Sequence, residues 1–441
     1  MHDAISEYYR LPDECSCVAA RPKVPGREGF FLYKGNPCYG GVSAVEAALE
    51  IQSAPEVSGH EIIADGSLRL PFNPEDVIGN LRHERYINND LTQEKDSLTR
   101  NAYYVLRRLL PVAVRKHLQR YRLRDWTDIR YPAWPVDASV DDLCAEILKG
   151  GLEASATQKL PFIWFWPDGL SGCIMITHDV ESTKGRDFCA AMREIDLSYG
   201  FRSSFELVPE KRYEISDRFL EDIRSAGFEI CLHGLCHDGH LFREKEEFLR
   251  RAGLINQYAR AWGAVGFRSP VMYRNPDWLS ALEIDYDMSW PTVGHLDPQR
   301  GGCCTVMPYF IGDIVELPLT MTQDYSLFHI LQRHNTELWR NQIEQIRSRN
   351  GLISCIIHPD YVTGSRELSV YRDLLNLFRQ MREEARLWTA LPGEIARWWR
   401  NRQAMRLVKH GAEWRIEGPG CERARIAWAA LDGDRLHYSV E

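Results

Sequence analysis

The chain has 441 residues, of which 44% are hydrophobic, 26% charged and 11% aromatic. These fractions exclude a collagenous or intrinsically disordered chain, and the length suits one large barrel with flanks or two to three domains. Sixty-two acids against fifty-four lysines and arginines give a formal charge of −8, which argues against nucleic-acid backbone binding as the main task. No run reaches the roughly eighteen apolar residues of a membrane helix; the best candidate, Tyr103–Val114, is interrupted by Arg107, Arg108 and Pro111. The N-terminus carries acids early and lacks an apolar stretch, so no secretion signal is expected. The twelve cysteines are too dilute for a disulfide scaffold, and neither Cys15-Ser-Cys17 nor Cys303-Cys304 has zinc-ribbon spacing. Reduced thiols and a cytoplasmic location are the expectation.

In chain order, residues 1–165 read as an α+β extension. It mixes turns at Pro22, Pro25 and Gly26 with one amphipathic segment from Ser97 to Leu123. There Leu98, Tyr103, Leu106, Leu109, Leu110, Val114 and Leu118 recur at helical spacing, with Arg107, Arg108, Arg115, Lys116, Arg120 and Arg122 opposite. A helix packing its apolar face on a core and solvating its charges is the simplest reading. Short apolar runs then alternate with helix-like stretches. The runs are Gly172–Thr177, Arg202–Val208, Phe228–Leu232, Val265–Phe267, Asp285–Ser289, Ile314–Leu319 and Leu352–Ile357; the helices fall near 186–199, 214–226, 242–261, 336–349 and 366–386. Seven strands alternating with helices predict parallel βα units closed, or nearly closed, into a barrel over 166–400. In residues 401–441 the strand-like Trp414–Glu417, Ile426–Ala429 and Leu436–Val440 are separated by Gly-Pro-Gly and Asp-Gly-Asp turns, which predicts a small β appendage.

In βα barrels reactive groups sit at the C-terminal ends of strands. After the first strand comes Thr177-His178-Asp179-Val180-Glu181, and after the third His233-Gly-Leu-Cys-His237-Asp238. Arg268-Ser269-Pro270 follows the fourth strand and His358-Pro359-Asp360 the seventh. On one helical turn His-x-x-x-His would point both imidazoles to the same side, as a shared metal ion requires. A carboxylate from another strand end would complete a His2-carboxylate set with one position open, the form of a catalytic site. His178 is expected to pack or hydrogen-bond, and Asp238 and His240 to lie on the rim.

This ordered set resembles the polysaccharide deacetylase (NodB-homology) superfamily of carbohydrate esterases, over about residues 171–390. The resemblance implies a distorted (β/α)7 barrel. The family's first motif is Thr-Phe-Asp-Asp, base then metal ligand; here Thr177-His178-Asp179-Val180 lacks the second Asp, and Glu181 is the natural substitute. Whether Asp179 or Glu181 is the carboxylate ligand stays open at this point. His233 and His237 match the metal-binding His-x-x-x-His, Arg268-Ser269-Pro270 the motif whose Arg orients the base, and His358 the general acid. Asp287 and Trp290 lie where the family has an apolar wall, and Trp290 is the candidate sugar platform.

The implied chemistry is amide hydrolysis on a divalent metal, Zn2+ being the first choice. Metal-bound water would lose its proton to Asp179 and attack the acyl carbonyl, while His358 would protonate the leaving amine. Arg268 would keep Asp179 ionised. The expected substrate is an N-acylated saccharide of a polysaccharide or its precursor. Two rivals remain: a C–N hydrolase of a small cyclic amide or ureide, and an inactive saccharide-binding protein, since Val180 replaces an Asp. The oligomeric state is not legible.

Overall fold

The computed structural model describes residues 4–12, 28–87 except 44 and 65, 120–155 and 157–441. Of the amphipathic segment, only residues 120–123 fall among these; the predicted helix lies otherwise outside the described residues.

The extension opens with α1 (Ala4–Tyr9) and two antiparallel hairpins. These are β1 (Gly29–Tyr33) with β2 (Asn36–Gly40), and β3 (Ile62–Ala64) with β4 (Ser67–Arg69). Helix α2 (Pro74–Arg82) starts at an Asn73 cap whose side chain accepts from the Glu75 and Asp76 amides, with Pro74 in the first turn. Helix α3 (Ser139–Ser155) and strand β5 (Lys159–Ile163) lead into the barrel.

The barrel sheet contains β6 (Cys173–Val180), β7 (Ser204–Leu207), β8 (Glu229–His233), β9 (Gly266–Arg268), β10 (Tyr286–Asp287), β11 (Tyr309–Ile311), β12 (Ile314–Glu316), β13 (Leu352–Ile356) and β14 (Trp388–Thr389). Its order is β11-β12-β10-β9-β8-β7-β6-β13, with β14 also paired to the start of β6. All seven runs expected from the sequence are strands here, and all seven are parallel. The additional β11 is an antiparallel edge on β12. Between them run α4 (Thr183–Ser198), α5 (Asp217–Ser225), α6 (Lys245–Trp262), α7 (Glu337–Arg347) and α8 (Ser365–Glu384), followed by α9 (Pro392–Ala404).

Strand β6 is buried along its whole length, because it has neighbours on both edges and lies between the barrel interior and the helices outside. No ladder joins β12 to β13. The gap is bridged by Met321, whose amide donates to Ser354 O at 3.1 Å, and by Thr320 Oγ1, which accepts from Ser354 N at 2.9 Å. The result is a curled parallel sheet with helices outside, an α/β fold.

The C-terminal residues form two hairpins, β15 (Arg406–His410) with β16 (Glu413–Glu417) and β17 (Ile426–Asp432) with β18 (Arg435–Val440). Strand β17 also pairs antiparallel with β5, so the appendage and the end of the extension share one sheet. Apolar residues of the extension (Phe31, Phe72, Leu143), of β5, of α9 and of β17 belong to one core with Cys173, Met175 and Leu352 at the starts of barrel strands. Among the described residues, the apolar part of the extension thus packs against the end of the barrel remote from the strand C-termini. A second attachment reaches the loops: Arg274 Nε donates to Glu84 Oε2 at 2.8 Å, its Nη2 donates to Glu84 Oε1, and both residues are buried. No helix of the described residues is long and apolar enough to cross a membrane.

Removing one partner of a buried, bidentate ion pair strands the other charge. Glu84→Ala is therefore expected to destabilise the protein by about 3–5 kcal/mol, read as a lowered denaturation midpoint. An unchanged midpoint would show that the link bears no weight.

Candidate metal centre

Strand β6 ends by pointing alternate side chains to opposite sides. Val180 is fully buried in the apolar core, while Asp179 lies near His233 at the end of β8 and Glu181 near His237 beyond it. His233 is the last residue of β8. His237 is not on a helical turn with it, contrary to the expectation from spacing. The residues between them form a loop, with Gly234 at φ 64° and His237 at φ 49°. Gly234 is required there, since a Cβ would lie 2.5 Å from the Pro270 ring. The left-handed His237 is held by Arg212, whose Nη2 donates to its carbonyl at 2.5 Å. Asp238 is a rim residue, as expected, clamped by Arg251 through two hydrogen bonds of 2.8 and 2.9 Å.

The loop nevertheless brings the two imidazoles together, their ring centroids 4.9 Å apart. Glu181, His233 and His237 each offer one ligand atom, all within 4.8 Å of one another. His233 Nδ1 lies 3.1 Å from Arg268 O, so it carries the proton and donates it, leaving Nε2 as a bare acceptor. That Nε2 is buried and has no hydrogen-bond partner. Burial pushes His233 down to about 4, keeping it neutral. A buried lone pair without a donor, beside a second imidazole and a carboxylate, is the donor set a divalent cation fits. Burial opposes ionisation of Glu181, but His237, with His358 and His233, outweighs it and holds the carboxyl well below its usual range.

Asp179 stands on the other side of His233, its Oδ2 3.7 Å from Nε2. Its Oδ1 accepts from Arg268 Nη1 at 2.7 Å. Burial would raise its pKa; Arg268 and then His233 and His358 reverse this and lower it. Arg268 closes β9 with no exposed surface and donates also to Thr177 Oγ1 and Met288 O. His358, just after β13, places Nε2 3.7 Å from Glu181 Oε1 and 4.0 Å from Asp179 Oδ2. Its Nδ1 donates to Asp324 Oδ1 at 2.6 Å, and its amide donates to Asp324 Oδ2 at 2.8 Å.

His178 does not face the metal ligands. Its two ring nitrogens meet Ile357 O at 2.8 Å and Asp196 Oδ2 at 2.9 Å, so both carry protons. Asp287 and Trp290 are fully buried. Asp287 accepts from the Ser289 hydroxyl and amide. Neither presents a face to solvent on which a sugar ring could stack in this conformation.

Sequence reasoning left four contributors unnamed: Asp324, Glu206, Tyr361 and Arg212. Asp324 precedes a short π-turn, Ser326–Ile330, that no periodicity announces. Tyr361 donates to Glu181 Oε2 at 3.1 Å; its place in His358-Pro359-Asp360-Tyr361 was the available signal.

Burial alone would lower the His358 pKa, but Asp324 raises it to about 10, against about 6.5 in an unfolded chain. The folded value being the higher, the pair's stabilisation is complete below about pH 6.5 and lost as pH climbs towards 10. In the metal-free protein the His358 ring is expected to stay protonated at pH 8. Asp324→Asn should lower its midpoint by about 2 units or more, read by NMR titration; an unmoved midpoint would dismiss Asp324 as the cause.

No family model matches the chain, and no curated protein matches it. Solved structures do. A protein described as a polysaccharide deacetylase from Mycobacterium smegmatis is 18% identical with a TM-score of 0.44, over 54% of this chain and 93% of that one. One so described from Pseudomonas aeruginosa PAO1 is 13% identical with a TM-score of 0.40, over 53% and 92%. PuuE allantoinase is 13% identical with a TM-score of 0.39, over 53% and 92%. Two of these three structures are described as polysaccharide deacetylases, the family that the strand-end motifs resemble.

Proposed function

We propose that this chain is a metal-dependent hydrolase that removes an acetyl or other acyl group from the nitrogen of an amino sugar, in a polysaccharide or its precursor. One observation carries the reading: a Glu-His-His donor set lies beside an ionised carboxylate and a protonated imidazole. A divalent ion held by Glu181, His233 and His237, Zn2+ suiting the donors, would supply Lewis acidity towards a carbonyl oxygen and acidify a coordinated water.

The protein's own groups do the rest. Arg268 occupies one oxygen of Asp179 and keeps it anionic, which leaves Oδ2 free to accept a proton beside the ligand set. Asp324 orients His358 and keeps Nε2 protonated, ready to donate to the departing amine nitrogen. Two neighbouring titratable groups with opposite charge at neutral pH are the division of labour that acid–base hydrolysis requires.

Acetate release from N-acetylated amino-sugar oligomers, with added Zn2+, is the direct assay. Asp179→Asn is expected to lower kcat by about 10²–10⁴-fold while metal content is retained. His233→Ala with His237→Ala is expected to abolish stoichiometric metal, measured by atomic emission. Turnover of a cyclic ureide with N-acetyl sugars inert would move the activity to small-amide hydrolysis. Activity unaffected by a chelator in metal-free protein would refute the metal mechanism.

A further inference from the structure

We propose that Asp360 and Tyr361 are positioning residues that make Glu181 a metal ligand in a barrel where Val180 occupies the expected aspartate position. The proposal rests on the reading of Glu181, His233 and His237 as a metal site. Val180 is sealed in the apolar core, and its carbonyl accepts from Tyr213 OH at 2.7 Å. The ligand role therefore passes to a residue one step beyond the strand, where no ladder fixes the backbone. Glutamate also has one more rotatable bond than aspartate, so it loses more entropy when held in place.

The turn after β13 supplies both restraints. Asp360 Oδ2 accepts from the Glu181 amide at 3.0 Å, and Oδ1 accepts from the Ser182 hydroxyl. Tyr361 OH donates to Glu181 Oε2 at 3.1 Å, while Glu181 Oε1 lies 2.9 Å from His237 Nε2. One residue thus pins the ligand's main chain and the next pins its far oxygen, so that a single oxygen faces the imidazoles. The same turn carries His358, whose ring centroid is 4.9 Å from that of Tyr361.

An independent feature points the same way. Gly185, in the first turn of α4, has a negative φ and needs no glycine for its backbone. A Cβ there would lie 2.1 Å from Asp360 Oδ2 and 2.6 Å from its Cγ. The glycine makes room for the carboxylate that anchors Glu181.

Co2+ titration of the metal-free protein, followed by visible d–d absorption, tests this without catalysis. Tyr361→Phe removes one oxygen atom and is expected to weaken Co2+ binding by about 10-fold or more and to alter the band shape. Gly185→Ala, which touches no ligand, is expected to act in the same direction by displacing Asp360. Should Gly185→Ala fail to fold, judged by its denaturation midpoint, Tyr361→Phe decides. Wild-type affinity and an unchanged spectrum in folded Tyr361→Phe would overturn the proposal while leaving the metal site intact. Absence of Co2+ uptake by the wild-type protein, or full uptake by His233→Ala, would bring down both the site and this proposal.

Discussion

A guanidinium with no exposed surface must find its counter-charge inside the protein, and Arg268 is such a group. It has more acids around it than one cation can balance. Asp179 takes the direct hydrogen bond, and Glu206 Oε2 lies 3.7 Å from the same nitrogen. Burial raises Glu206 to about 7 although Arg268 pulls it down, while Asp179 is held low. The single positive charge therefore favours ionisation of Asp179, which it hydrogen-bonds, over that of Glu206. Farther round the sheet, burial raises both Asp287 and Glu316, which lie side by side on β10 and β12 and hydrogen-bond to each other. The strands that deliver these groups, β6, β7, β9, β10 and β12, are mutually registered by their ladders. A register slip in any of them would leave buried charge unanswered, so the site's electrostatics and the order of the sheet enforce each other.

The barrel was largely legible because buried parallel strands write themselves as short apolar runs separated by amphipathic helices. Leu352–Ile356 and Glu229–His233 coincide with their runs to within a residue or so. Two short elements, Tyr309–Ile311 and Trp388–Thr389, carried too few residues for any pattern. At the site, residues that end strands could be named in advance, since strand ends are where barrels keep reactive groups. Their partners could not. Asp324 is joined to His358, and Tyr361 to Glu181, only by the closing of the chain; the place of Tyr361 next to His358-Pro359-Asp360 said nothing of which residue it would meet. The His-x-x-x-His spacing suggested a helix; Gly234 and the Pro270 ring packed against it imposed a loop instead. Asp287 and Trp290 were legible as positions but not as roles, because burial is a property of the packed molecule.

The flanks show a division between the two ends of the barrel. At the strand starts the packing is apolar and continuous with the extension, with Trp398 Nε1 donating to Phe165 O at 2.8 Å and Arg402 donating to Trp164 O, Ile163 O and Tyr8 O. At the strand ends Asp179, Glu181, His233, Arg268 and His358 converge in one polar cluster. The apolar floor and the titratable groups thus sit at opposite ends of the strands, with the Arg274–Glu84 pair tying the extension to the loops as well.

The pairing of β5 with β17 has a meaning in time as well as in space. During synthesis β5 emerges before any barrel strand and its partner only after the last of them. One edge of β5, including the backbone beside Leu160 and Phe162, stays unpaired for the whole interval. The floor sheet can be completed only once the barrel segment has left the ribosome, so closure of the two flanks is a late, long-range event in folding.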